Sequence, residues 1–94
     1  MEWQNGIHGV RFKAFRSGTK QLRLLEFTSE FVDPDWCEKG HVGFLVQGEL
    51  EIDFHGHFVR YPEGSGINIP SGPTSGHKAR SIPAVTQLFL VEEI

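Results

Sequence analysis

Little in this chain points outside a compact, reduced, water-facing domain. It has one cysteine, Cys37, so it cannot form an internal disulfide, and nothing marks a small secreted scaffold held by cystines. The opening residues, Met1 to Gly6, lack the basic and then apolar order of a secretory leader. No apolar run approaches the roughly 20 residues that span a bilayer as a helix. These absences lead to the expectation of a cytoplasmic location and no membrane partner. Basic charge is also scarce: 9 Lys and Arg against 12 Asp and Glu give a net charge of −3 with the five His neutral. Without a basic stripe to neutralise phosphates, nucleic acid is not an expected partner. No segment carries a convincing helical period, and there is no linker, repeat or low-complexity stretch.

What remains is a chain of 94 residues, read as a single domain over 1–94. Eleven glycines and a 38% apolar fraction suit many short strands joined by tight turns, and eight Phe supply bulk for a core or pocket. The dominant period is two. Val10, Phe12 and Ala14 alternate with Arg11 and Lys13, which predicts a half-buried strand. Ser17-Gly18-Thr19 turns it, and Gln21 to Phe27 returns. Pro34 interrupts the stretch Phe31 to Asp35. Val42 to Val46 reads as a strand buried on both faces. Leu50, Ile52 and Phe54 alternate with Glu49, Glu51 and Asp53, so one face is wet and the other dry. His55-Gly56-His57 is a hairpin turn and Phe58 to Tyr61 its return. Ile67 and Ile69 flank Asn68 in a short strand. Ala84 to Val91 is apolar on both faces, so it needs cover on both, from its own chain or from a partner subunit by strand exchange. Glu92-Glu93 reads as solvated terminal charge. Seven or eight short strands at regular spacing predict a sandwich or barrel.

Two stretches have a shared form. Gly40 to Leu50 is a strand ending in a glycine turn at Gly48. Gly64-Ser65-Gly66-Ile67-Asn68-Ile69-Pro70-Ser71-Gly72 is another, closing on Pro-x-Gly before His77. Over about residues 34–80 this pair resembles the two motifs of the cupin superfamily. Gly64, Pro70 and Gly72 match the second motif at its spacing, and Gly48 matches the last glycine of the first. Fifteen residues separate Gly48 from Gly64, similar to compact microbial cupins. The resemblance implies an all-β, double-stranded β-helix or jelly-roll barrel that holds a small molecule, often beside a metal, and that forms a homodimer.

The metal positions depart from the pattern. His41 falls where the first motif's glutamate usually stands, and Asp35 and Cys37 fall where its two histidines stand. The motif's opening glycine would be Ser29. The second-motif histidine would be Ser75, with His77 two residues further on. The resemblance therefore implies a variant metal set of Asp35, Cys37, His41 and His77. Thiolate and imidazole suit Zn²⁺, Fe²⁺ or Ni²⁺, and a carboxylate can complete such a site. Glu38 is the candidate to move protons. Trp36, Phe44 and Ser75 are candidate ligand contacts, and Phe54, Ile67, Ile69 and Phe89 are further candidates for pocket or core. Free cysteine is also often a small buried hydrophobe, so Cys37 has that plainer reading too. His55 and His57 have the letters of a metal pair but sit in a hairpin turn, which favours the surface. Two functions are expected in turn: small-molecule binding with a variant or degenerate metal site, or metal-dependent catalysis of the isomerase or dioxygenase type.

Overall fold

A computed structural model describes residues 2–6, 9–32, 36–38, 40–72 and 76–93. Nine strands and no helix occur among them: β1 Gln4–Asn5, β2 Val10–Ser17, β3 Lys20–Thr28, β4 His41–Gln47, β5 Glu49–Phe54, β6 His57–Pro62, β7 Gly66–Ile69, β8 Lys78–Ser81 and β9 Val85–Glu93. They form two antiparallel sheets. The larger has the order β1-β2-β3-β9-β4-β7 and the smaller β6-β5-β8. No helix among the described residues is long and apolar enough to cross a membrane.

The period-two pattern decides which side chains lie between the sheets. Leu25 and Phe27 of β3, Leu45 of β4, Leu50 and Ile52 of β5, Ile67 and Ile69 of β7, and Leu88 and Leu90 of β9 are buried there with Phe31. Each alternates with a neighbour that points out, as a pleated strand requires. The turns follow local chemistry. His55 and Gly56 both have positive φ, 53° and 97°. They form the two-residue primed turn that matches strand twist, and Asp53 Oδ1 accepts the Gly56 N–H at 2.6 Å. Gly48, the glycine shared with the motif, has φ 88°, and a Cβ there would lie 2.5 Å from Thr86 Oγ1. Gly43 has no positive φ, but a Cβ would collide with the Phe89 carbonyl of neighbouring β9.

Two expectations about the strands need correction. β4 is buried on one face only: Leu45 is inside, whereas Val42, Phe44 and Val46 point to solvent. Its outer face is apolar without being covered, so composition alone overstated its burial. β9 lies in the centre of the larger sheet, paired with β3 on one edge and β4 on the other. Its inner face is covered by its own chain, and Phe89 on its outer face is not.

The sheets are tied together by one buried hydroxyl. Thr86 of β9 is fully buried. Its Oγ1 donates to the Glu49 carbonyl at 3.2 Å and lies 2.8 Å from Ser81 Oγ on β8. Ser81 Oγ in turn donates to the Pro83 carbonyl at 3.0 Å.

Candidate functional site

Three side chains that carry metal-binding chemistry meet at one end of the space between the sheets. His41 begins β4 and points inward, paired in register with Ile69 of β7. Cys37 lies before β4 and His77 before β8. The backbones of these two residues pair directly: Cys37 N–H donates to the His77 carbonyl at 2.8 Å, and His77 N–H to the Cys37 carbonyl at 2.9 Å. Paired residues of this kind carry their side chains to the same side. The ligand atoms of Cys37, His41 and His77 all lie within 4.8 Å of one another.

The geometry suits a metal of zinc's size. Ligands at 2.0–2.3 Å around a tetrahedral ion lie about 3.3–3.8 Å apart. Cys37 Sγ and His41 Nε2 are 3.6 Å apart, already one tetrahedral edge. The widest separation, 4.8 Å, needs a closure of about 1 Å, within the reach of a side-chain rotation. The two imidazoles meet edge to face with centroids 5.2 Å apart. His77 is buried, with the Phe54 ring 5.9 Å from its centroid.

A cavity of about 380 Å³ opens from these three residues into the barrel. Its walls are mainly apolar and include Phe12, Leu25, Phe27, Leu50, Ile67 and Leu88. That volume is within the range of small-molecule pockets. A second, larger opening of about 690 Å³ also includes His41, together with Arg23 and Glu92. His41, Arg23 and Ile69 line both.

Arg23 and Glu92 form a polar pair that the sequence reading missed. Arg23 Nε donates to Glu92 Oε1 at 2.6 Å and its second guanidinium nitrogen to Oε2 at 2.8 Å, a bidentate bridge. Gln21 Nε2 adds a bond to Oε1 at 3.2 Å. Burial raises the Glu92 pKa, but the Arg23 hydrogen bonds and charge outweigh it, with a smaller contribution from His41, and the carboxyl ends below its ordinary value. Glu92 is thus held inside the fold, contrary to its reading as solvated terminal charge. The signal was present in the alternation: Leu88, Leu90 and Glu92 share one face of β9, as Gln21, Arg23, Leu25 and Phe27 share one face of β3.

The other expected site residues are placed as follows. Asp35 and Ser75 lie outside the described residues. Glu38 is exposed and does not line the cavity; its carbonyl accepts the Gly72 N–H at 2.9 Å. Trp36 stacks on His55 at 3.9 Å with Lys78 Nζ 4.8 Å from its ring, a surface cluster away from the cavity wall. Phe44 and Phe89 point out of the larger sheet. Ile67 and Ile69 line the cavity, and Phe54 packs against the core beside His77. His55 and His57 are exposed in and beside the hairpin turn.

The sequence matches no protein-family model and no curated protein. Solved structures do match. KdgF from Halomonas sp. superimposes with a TM-score of 0.80 at 20% identity, over 97% of this chain and 84% of that one. A cupin-2 domain protein from Shewanella frigidimarina gives 0.72 at 18% identity, over 88% and 79%. The EutQ protein of Clostridium difficile gives 0.72 at 18%, over 89% and 67%. With its two antiparallel sheets and glycine-turned strands, the chain has the cupin fold, an all-β jelly-roll barrel.

Proposed function

We propose that this protein is a small cupin that binds a compact, largely apolar molecule in its barrel, beside a divalent metal held by Cys37, His41 and His77. The observation that carries this reading is the convergence of one thiol and two imidazoles on a cavity whose other walls, Arg23 apart, are apolar. A thiolate and two neutral imidazoles are a borderline-soft set, suited to Zn²⁺ and also to Fe²⁺ or Ni²⁺. When bound, such an ion supplies Lewis acidity toward a ligand oxygen. Cys37 gives it a thiolate, His41 and His77 give it ring nitrogens, and the aliphatic walls exclude water and orient the apolar part of the guest.

A second reading, metal-dependent catalysis, is favoured by the ligand count. Three protein ligands among the described residues would leave a coordination position open, the pattern of catalytic rather than structural sites. Neither Glu38 nor any other carboxylate of the described residues lines the cavity, so proton transfer would fall to the histidines or to the guest itself. The fold does not choose between the readings, since cupin-type barrels carry unrelated activities.

Elemental analysis of protein purified without a His tag, after growth in metal-supplemented medium, tests the metal. The expected result is close to one divalent ion per chain, lost in a Cys37→Ala, His77→Ala double variant. Metal content near zero would overturn it. A thermal-shift screen of small carboxylic acids, sugars and nucleotides tests the cavity. A stabilising hit with no turnover supports binding, and turnover that depends on the metal supports the second reading.

A further inference from the structure

Arg23 is the one permanently charged side chain on the cavity wall among the described residues. It belongs to the inner face of β3, where Leu25 and Phe27 follow at alternate positions. Cross-strand register sets it in a row with Ala14 of β2, Leu90 of β9, Gly43 of β4 and Ile67 of β7. Ala14 and Gly43 are the smallest members of that row and leave room beside a long side chain. Val42 pairs with Val91, so His41 and Glu92 share the next row. Arg23 therefore stands one row away from the candidate metal ligand His41, about 7 Å along the strand direction.

A cation on a largely apolar wall is costly unless it is paired. Glu92 supplies part of that pairing. It accepts from Nε and from Nη2, at 2.6 and 2.8 Å. Glu92 lines the second opening and not the cavity. A guanidinium has five N–H donors, so three remain: both on Nη1 and the second on Nη2. Nη1 makes no hydrogen bond among the described residues. Together these donors form a second fork, of the shape that takes a carboxylate through two parallel bonds. Arg23 Cζ lies 5.8 Å from the centre of the Phe12 ring, and Phe12 is itself part of the cavity wall.

We infer that the guest of this cavity is a small carboxylic acid with an apolar body, its carboxylate held by the second fork of Arg23. The inference rests on the proposed guest-binding cavity and adds the chemical class of the guest. Charge favours an anion. No carboxylate of the described residues lines the cavity to receive a cation. A divalent ion held by one thiolate and two imidazoles would add a further net positive charge at the same wall. Shape favours a short molecule. β9 separates β3 from β4, so the backbones that carry Arg23 and His41 are about 10 Å apart, and both side chains reach into that span. A body of a few carbon atoms then lies against Leu25, Leu88 and Leu90, with the carboxylate at Arg23 and the far end toward the thiol and imidazoles.

Calorimetric titration of the untagged protein with benzoate, phenylacetate and cyclohexanecarboxylate, each beside its primary amide, tests this inference. The amides match the acids in shape and lack the charge. Titration in chelator, and again with Zn²⁺, separates the Arg23 fork from direct ligation of a metal. In chelator at least one acid is expected to bind about 10-fold or more tighter than its amide, the usual worth of hydrogen bonds to a charged group. An Arg23→Met, Glu92→Met double variant removes both charges and leaves neither unpaired. It is expected to bring the acid to the level of its amide. Glu92→Gln keeps an acceptor for Arg23 and removes the competing charge, so it is expected to raise the acid-to-amide ratio by about 3-fold or more. A purely structural bridge would leave that ratio alone, and an unchanged or lower ratio overturns the inference. Acid and amide binding equally to the wild type overturns it and leaves the cavity reading standing. Binding of neither, with or without Zn²⁺, overturns both. An acid preference that persists in the double variant, or that appears only with Zn²⁺, assigns the carboxylate to another group and also overturns it. Should the double variant fail to fold, the wild-type ratio and Glu92→Gln still decide.

Discussion

Cys37 and His77 are forty residues apart in sequence and share two backbone hydrogen bonds, 2.8 and 2.9 Å long. This pairing sets side by side two candidate metal ligands that nothing local connects. It also separates the chemistry from the scaffold, because the main chain holds the two residues together whatever their side chains are.

Cys37→Ala is therefore expected to fold normally and to lose metal. The main-chain bonds to His77 survive the substitution, while the thiolate is gone. Outer partners of metal ligands are worth 10–100-fold in affinity, so loss of the ligand itself is expected to cost at least about 100-fold. Competition titration of Zn²⁺ against a chromophoric chelator measures it, with thermal melting in chelator as the check on fold. Equal zinc affinity in the variant and the wild type would remove Cys37 from the centre.

Thr86→Val is expected to destabilise without touching the cavity. The substitution keeps the shape of the side chain but removes the bonds to the Glu49 carbonyl and to Ser81 across the two sheets. Leaving buried groups unsatisfied costs about 1–3 kcal/mol. For a chain of this size that is a fall in Tm of about 5–15 °C. Calorimetry checks it, and a Tm within 2 °C or so of wild type would mean that the polar tie contributes little.

Acid is expected to weaken the fold through specific carboxylates. The Arg80 hydrogen bond, aided by its charge and by Arg60 and opposed by desolvation, holds the Glu51 carboxyl below its ordinary value of 4.5. The Arg11 and Gln87 hydrogen bonds do the same for Glu26. Because the folded pKa lies below the unfolded one, the stabilisation is fully present above about 4.5 and is lost as pH falls through the folded pKa. Melting temperature measured from about pH 6 to pH 3 should therefore fall toward the acid end. Glu51→Gln should show a smaller fall than wild type, and an unchanged slope would place the acid sensitivity elsewhere.

The cluster of Cys37, His41 and His77 was legible in the sequence, and the limits of that reading have physical causes. Cys37, His41 and His77 stood out because few other side chains bind metals and because Gly48, Pro70 and Gly72 fixed their place in the pattern. Trp36 and Phe44 were drawn into the pocket by their size. Size says that a side chain prefers burial but not on which side of a strand it lies. Phe44 follows Gly43, whose close approach to the Phe89 carbonyl sets the phase of β4 and turns Phe44 outward. Arg23 and Glu92 were overlooked because a charged residue in a strand is ordinarily solvated. Only the neighbouring strand shows that each has an opposite charge at 2.6 Å.

The sequence by itself determined the barrel. Period-two alternation, the primed turn at His55-Gly56 and the glycine at Gly48 are local constraints that act within a few residues. The tertiary structure decided which side chains meet inside the barrel and which face it presents. Strand order set Cys37 beside His77, brought Arg23 to Glu92, and gathered Phe15, Val42, Phe44 and Phe89 onto one exposed surface. Register between distant strands is a property of the packed whole, because a shift of one residue would send every one of these side chains to the opposite face.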